Sequence, residues 1–166
     1  MTPRIFQINA SGGGVPKTPV REALVGEEGL TIDRQTHTKI HGGPKRALCL
    51  WSLERILALQ EEGHPIFPGA AGENLTLTGL DWDAVVPGVQ LRLGREVGIE
   101  VLSYTQPCGT ISGYFSDGQQ NRIEQELHPG WSRVYARVVR GGTIRAGDEV
   151  QVVDLVKGPS TESGTR

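Results

Sequence analysis

Cysteine is scarce in this chain, with only Cys49 and Cys108 among 166 residues. Two thiols cannot staple a small secreted scaffold, and no apolar stretch follows a basic start. Neither a disulfide framework nor secretion is therefore indicated, and a reducing cytoplasm is the expected setting. Long hydrophobic runs are also missing, since none approaches the roughly 20 residues that a membrane span needs. Charge of one sign is lacking too: 17 basic residues stand against 19 acidic ones, for a net charge of -2. No basic block is present to track a phosphate backbone, which argues against a nucleic acid polymer as partner.

Apolar residues make up 37% of the chain, enough to bury one core without metal or disulfide staples. Its length suits one domain, expected over residues 1–156, with a disordered, functionally silent tail over 157–166 that is rich in Ser, Thr, Gly and charge. The 23 glycines and 10 prolines break the chain every few residues, a rhythm that suits short strands. Strands are predicted at 4–9, 47–51, 89–93, 97–104 and 131–139, where Ile and Val are bounded by turn residues. Gly141-Gly142 reads as a hairpin turn. Two helices are expected. One is capped by Ser52, puts Leu53, Ile56, Leu57 and Leu59 largely on one side, and stops at Gly63 and Pro65. The other runs from about Gly118 to Leu127 and ends at Pro129-Gly130. Many short strands with few helices predict a mainly β barrel or sandwich rather than a doubly wound sheet.

Four regions could carry chemistry. The segment from Ser11 to Lys17 could turn glycine N–H groups toward an anion while Lys17 supplies a cation, although it has neither Walker nor Rossmann spacing and a surface turn explains it as well. Around Asp33-Arg34, His37, His41-Gly42-Gly43-Pro44 and Arg46, polar and basic side chains flank a sharp turn. His37 and His41 would face zinc together only on a helix, which Gly42, Gly43 and Pro44 oppose, and no third ligand is evident; solvated loop histidines are the plainer reading. At Gly69 and Gly72-Glu73-Asn74-Leu75 a carboxyl and an amide enter a short strand. Asn74 could hydrogen-bond a heterocycle or simply cap the strand end. The two cysteines complete the set. Cys49 lies inside the apolar stretch 47–51 and reads as a small buried hydrophobe. Cys108 follows Pro107 in a loop, where a thiol can face a pocket.

These pieces, taken in order, resemble the MOSC family, named after the C-terminal domain of molybdenum cofactor sulfurase, and particularly its stand-alone bacterial, YiiM-like branch. The resemblance rests on Gly-Gly-Val-Pro-Lys ending at Lys17, on Asp33-Arg34, on HGGPKRALCL from His41 and on PGAAGENL ending at Leu75. It continues through Gly79-Leu80, the Pro107-Cys108 loop, and Gly130-Trp131 with Arg133 and Val134 before Gly141-Gly142 and Gly147-Asp148. It implies a MOSC-type β-barrel with a few short helices. It also implies a molybdenum cofactor (molybdopterin) whose metal Cys108 ligates, with Lys17, Arg34, His41, Gly42, Gly43 and Asn74 holding the pterin and its phosphate. The sequence departs from the family at Ile32, where glycine is usual before the aspartate, and at Gly109-Thr110-Ile111, where many relatives carry a bulkier polar pair.

The implied activity is molybdenum-dependent reduction of N-hydroxylated compounds, with Cys108 as both metal ligand and catalytic residue. Such turnover consumes electrons. Two separated cysteines cannot hold a four-thiolate iron–sulfur cluster and no flavin fingerprint is visible, so a redox partner protein is expected to supply them. Two alternatives use the same resemblance. One is a sulfur carrier with a Cys108 persulfide, fed by a cysteine desulfurase partner to which any pyridoxal phosphate would belong. The other is a nonenzymatic cofactor-binding module.

Overall fold

The computed structural model describes residues 1–33 and 43–153. Eight strands form one sheet: β1 (Arg4–Ala10), β2 (Thr18–Val20), β5 (Leu48–Ser52), β6 (Leu75–Thr78), β7 (Gln90–Leu93), β8 (Val97–Tyr104), β9 (Val134–Arg140) and β11 (Val150–Val153). Their order across the sheet is β11-β7-β8-β9-β5-β6-β1-β2. A smaller sheet has β3 (Glu22–Gly26) between β10 (Gly142–Arg145) and β4 (Gly29–Leu30). Every pairing is antiparallel except β5 with β6, whose crossover contains the helix α1 (Leu53–Glu61). That crossover is what parallel neighbours require, because a tight turn cannot return the chain in the same direction. Among the described residues no helix is long and apolar enough to cross a membrane.

Alternation builds the core. Val97, Ile99 and Val101 of β8 and Leu91 and Leu93 of β7 are fully buried, while Arg92 between the latter is exposed. This is the period of two expected of a sheet with one face in the core. Strand β5 is buried along its whole length, which places it where both faces are covered. Leu48 and Leu50 point to one side with their register partners Ala136, Val134 and Leu75. Cys49 and Trp51 point to the other. Trp51 Nε1 donates to Trp131 O at 3.1 Å, and Trp82 Nε1 donates to Ser132 O at 3.0 Å, so both buried indoles satisfy their polar atom.

Helix α1 begins as the sequence predicts, with Ser52 accepting a hydrogen bond from Arg55 N. Ile56 and Leu59 are buried on it, whereas Leu57 is left exposed. Other expectations need correction. The segment 118–127 is not an α-helix; it holds a 3-10 turn at Gln120–Ile123. Gly118 there adopts φ +70°, Asp117 caps Gln119 N through its side chain, and Ile123 is the one residue of that turn that is buried. So little apolar surface on one side cannot hold a helix against the sheet. The last long strand starts at Val134 rather than at residue 131. Trp131 instead meets the guanidinium groups of Arg55 and Arg122, 4.9 and 4.1 Å from its ring centroid. Gly141-Gly142 does not fold β9 back on β10, because β10 leaves the large sheet and pairs with β3. A Cβ on Gly141 would lie 2.6 Å from Val25 O, so the bare backbone is what lets the second sheet approach.

The mainly β prediction holds, but the sheets are not closed into a barrel. Across the seam between β1 and β11 there is one isolated bridge, Arg4 with Glu149. It is flanked by Ile5 N to Asp148 O at 2.8 Å and Gly147 N to Ile5 O at 2.7 Å. Of β11 itself, Val150 N donates to Pro3 O at 2.9 Å, just before β1, and the rest of the strand follows β7, so the two parts of the sheet meet at a turn and not along a ladder. Strands β2, β3, β4, β10 and β11 escaped the sequence reading; none exceeds 5 residues, too short for periodicity to declare itself.

Candidate functional site

A row of residues runs across the large sheet on the face opposite Leu48 and Leu50. Asn9 N donates to Asn74 O at 2.7 Å, Asn74 N donates to Cys49 O at 2.8 Å, and Cys49 is the register partner of Tyr135, itself opposite Ser103. The loops that leave the sheet here bring the chemistry with them: 11–17 after β1, 69–74 before β6, and 105–110 after β8.

Asn74, 1% exposed, ties two of these regions together. Its Oδ1 accepts from Cys49 N at 2.9 Å, and its Nδ2 donates to Asp33 Oδ2 at 2.8 Å. Asp33 also accepts from Ser11 N at 3.0 Å and forms an ion pair with the Lys17 ammonium. Both members of that pair are almost completely buried. The glycine-rich loop therefore presents Lys17 with its charge matched by Asp33, not as an isolated cation. Lys17 N donates to Gly69 O at 2.9 Å. Gly69 sits at φ +91°, and a Cβ there would stand 2.3 Å from Lys17 O. Only glycine allows the two loops to touch so closely.

Glu73 is fully buried beside this network. Thr76 donates to its Oε2 at 3.1 Å, while Oε1 has no hydrogen-bond partner. Burial pushes its pKa up to about 7, against the backbone N–H groups of Gly69 and Glu73, the Thr76 hydroxyl and the charge of Arg133, which all favour the ionised form. Arg133, just before β9, donates from Nη1 to Ala71 O. Its backbone is fixed as well, with Thr105 N and Ser132 Oγ both donating to Arg133 O, at 3.0 and 2.7 Å.

The two thiols are in opposite settings. Cys49 is buried, its Sγ 3.9 Å from Thr105 Oγ1, and burial raises its pKa above the ordinary thiol value. Cys108 is exposed, in extended backbone at the start of the 3-10 turn Gly109–Tyr114, with Sγ 2.8 Å from Thr110 Oγ1. Partial burial works against its thiolate. The hydroxyl and N–H of Thr110 and the positive charge of Arg133 outweigh that and bring its pKa below the ordinary value. A thiol that is both accessible and biased toward thiolate is the nucleophilic or metal-ligating kind. Tyr135, whose phenol burial pushes up to about 12, feels both thiols and Arg133. The Arg46 guanidinium lies 5.5 Å from its ring centroid.

The structure thus joins Lys17 and Asn74 through Asp33, and it places Cys108 within the field of Arg133. Gly43 opens the 3-10 turn Pro44–Arg46 at φ +89°, with open space where a side chain would be. Arg34, His37, His41 and Gly42 lie outside the described residues, and with them the suggested zinc pair. Among the described residues no cluster of three or more His, Cys, Asp or Glu could hold a bare metal ion. Arg133 is the group that sequence reasoning left without a role. Its only signal was a cation directly before the apolar run Val134-Tyr135-Ala136, where a charge is expected only with a reason.

Comparison with known proteins gives three consistent results. Residues 37–151 match a family model described as the MOSC domain. YflK of Bacillus subtilis strain 168 is 29% identical over 156 residues, covering 92% of this chain and 69% of its own length. YiiM of Escherichia coli K12 is 31% identical over 140 residues, covering 81% of this chain and 61% of its own length, so this chain spans less than two thirds of that relative. The crystal structure of YiiM from Geobacillus stearothermophilus superposes with a TM-score of 0.72 at 27% identity, over 94% of this chain and 77% of that one.

Proposed function

The chain belongs to the MOSC family, in its YiiM-like branch, and from that premise we propose that it binds molybdenum cofactor and reduces N-hydroxylated compounds, with Cys108 as the protein ligand to the metal. The observation that carries this reading is the Cys108 thiol, exposed at the loop after β8 and biased toward thiolate. The family includes molybdoenzyme components. The residues fit such a group: a soft thiolate suits molybdenum, and a metal that arrives in its own pterin dithiolene needs little more from the protein. The buried Arg133 keeps a positive charge near Cys108, with Nη1 on Ala71 O and Nε without an acceptor.

Gly43, with Arg34, His41 and Gly42, would hold the pterin and its phosphate, while Lys17 and Asn74, whose polar groups are spent on Asp33 and Cys49, would position the wall of that site. When bound, the cofactor supplies two-electron oxygen-atom chemistry. The balanced reaction takes a hydroxylamine-type R–NHOH with two electrons and two protons to R–NH2 and water. The chain's share is to ligate, orient and exclude water. Electrons come from a separate donor, and substrate reaches the site at the exposed Cys108 loop.

The test is elemental. Protein made in a cofactor-producing host should carry molybdenum in proportion to chain, lost in Cys108→Ser, and should reduce N-hydroxylated purines or amidoximes only with an added reductant. Steady turnover on NADH with no partner would refute the separate donor. A labile sulfane sulfur on Cys108 without metal would overturn the reading in favour of a sulfur carrier served by a desulfurase. Retained cofactor with no reduction of any such compound would reduce the protein to a binding module.

A further inference from the structure

The face of the large sheet that carries Cys49 and Tyr135 continues away from the site, along β9 and across β8 to β7. Arg137 stands two residues beyond Tyr135 on β9 and so shares its face. Cross-strand partners also share a face. The register therefore puts Arg92 of β7, Gly98 of β8 and Arg140 of β9 in one row, with Arg137 opposite Glu100 in the next. Leu91, Leu93, Val97 and Ile99 alternate with these positions and are fully buried, so the rows point away from the core. Arg92, Arg137, Val139 and Arg140 are exposed. Gly98 leaves the middle of its row bare: a Cβ there would stand 3.9 Å from Arg140 Cβ and 4.0 Å from Val139 Cβ. A glycine inside a strand lets another chain come close.

The cations on this face are largely unmatched. Glu100 is spent on Arg137, at 2.6 Å. Arg92 donates to the neutral Arg95 carbonyl at 3.1 Å, and Glu96, the acid of the same turn, accepts from Thr143 N of the small sheet at 2.8 Å. Among the described residues Arg92, Arg95 and Arg140 enter no ion pair, and neither do the exposed Lys45 and Arg46 at the other end of the face. Arg46 lies over the Tyr135 ring, 5.5 Å from its centroid, so the unmatched charge runs from the edge of the site to Arg140. The whole chain is net negative, at -2. Positive charge is thus segregated onto one face, which steers a negatively charged surface toward it.

The spread of that charge suits a protein better than a small anion. From Tyr135 to Arg140 the strand covers about 17 Å, and a stable interface of roughly 800 Å² per partner is about 30 Å across. One protein seated on the row reaches the edge of the site as well, with the exposed Val139 beneath it. We propose that this face is the docking surface of an acidic redox protein, the separate electron donor, which meets Arg92 and Arg140 with carboxylates and turns its electron-carrying group toward Cys108. What the partner brings rests on the cofactor reading above, two electrons for each R–NHOH in the balanced reaction given there. The docking itself stands on the charge and shape of the face.

Flavodoxin, an acidic flavin protein, is the probe, and cytochrome c, a basic haem protein, is its charge-reversed control. Each is titrated into the full chain as purified, at low ionic strength. Flavodoxin should bind and move the amide resonances of Gly98, Val139 and Arg140 in 15N spectra, and cytochrome c should not. Its affinity should fall about tenfold or more at high salt, and again in the double variant Arg92→Glu, Arg140→Glu. In molybdenum-loaded protein the double variant should keep its dithionite-driven turnover and lose about tenfold of its flavodoxin-driven turnover. Unmoved resonances, unchanged affinity in the double variant, or equal binding of the two redox proteins overturns the proposal; the resonances need no variant to fold. Self-association that the double variant abolishes would give the face to a second copy instead, and single-stranded DNA binding as tight as that of flavodoxin would make it a plain polyanion surface; either overturns it too. Failed docking leaves molybdenum loading on Cys108 untouched, whereas normal docking by a chain that takes up no molybdenum fails only the cofactor reading.

Discussion

Replacing Asn74 by alanine removes the residue through which the Lys17 and Cys49 regions are joined. Two hydrogen bonds disappear: Cys49 N to Oδ1 at 2.9 Å and Nδ2 to Asp33 Oδ2 at 2.8 Å. They are not equivalent. Cys49 N sits in a fully covered strand and has no water to turn to, so leaving it unpaired costs about 1–3 kcal/mol. The bond to a carboxylate is the stronger type, worth about 1.5–3 kcal/mol, but Asp33 keeps Lys17 and Ser11 N and recovers part of it. A net loss of about 3 kcal/mol is expected. With a urea slope of about 2 kcal/mol/M, the unfolding midpoint should fall by about 1.5 M at unchanged slope. Urea titration followed by tryptophan fluorescence and far-UV circular dichroism reads this directly. Asn74→Asp keeps the acceptor for Cys49 N while placing a second carboxyl against Asp33, so it should be as harmful at neutral pH and recover in acid, where a protonated acid can donate. An Asn74→Ala midpoint within about 0.3 M of wild type would refute the idea that this amide holds the site together.

Three further outcomes follow from the geometry. Native protein should take up one equivalent of iodoacetamide quickly, on Cys108, and a second only when unfolded; rapid double labelling would contradict the burial of Cys49. Glu73 has a folded pKa raised from 4.5 to about 7. The native state therefore holds its proton more tightly, and the stability that this gives is complete below pH 4.5 and lost as pH rises through 7. Glu73→Gln should flatten that decline and be more stable at pH 8 by roughly 3 kcal/mol at most, which unfolding curves at pH 5 and pH 8 would show; an unchanged slope with pH rejects it. Gly69→Ala forces a Cβ to 2.3 Å from Lys17 O at φ +91° and should cost about 3 kcal/mol or more, read as a drop in melting temperature, whereas an unshifted melting curve would mean that the two loops do not touch.

How far the sequence alone reaches depends on the range of the interactions involved. The strand at 97–104 was legible to the residue, and so was the Ser52 cap of α1, because alternation and capping are written within one turn or one strand. The contrast between an inert Cys49 and an accessible Cys108 was legible too, from an apolar neighbourhood in one case and a Pro-Gly loop in the other. Segment 118–127 reads as a helix but does not form one, because its Gln, Arg, Glu and Leu are good helix formers that give no sign of the buried face that they lack. Local chemistry could not say that β10 would leave β9 for β3, nor that the β1–β11 seam would stay open. Those outcomes turn on which backbone edges find a partner across more than 100 residues. In the same way, tertiary structure alone decided that Lys17 would meet Asp33, that Asn74 would spend its amide on Cys49 and Asp33, and that Arg133 would be buried within reach of the Cys108 thiol's field. Charge compensation is a property of a place, and a chain acquires places only when it has folded.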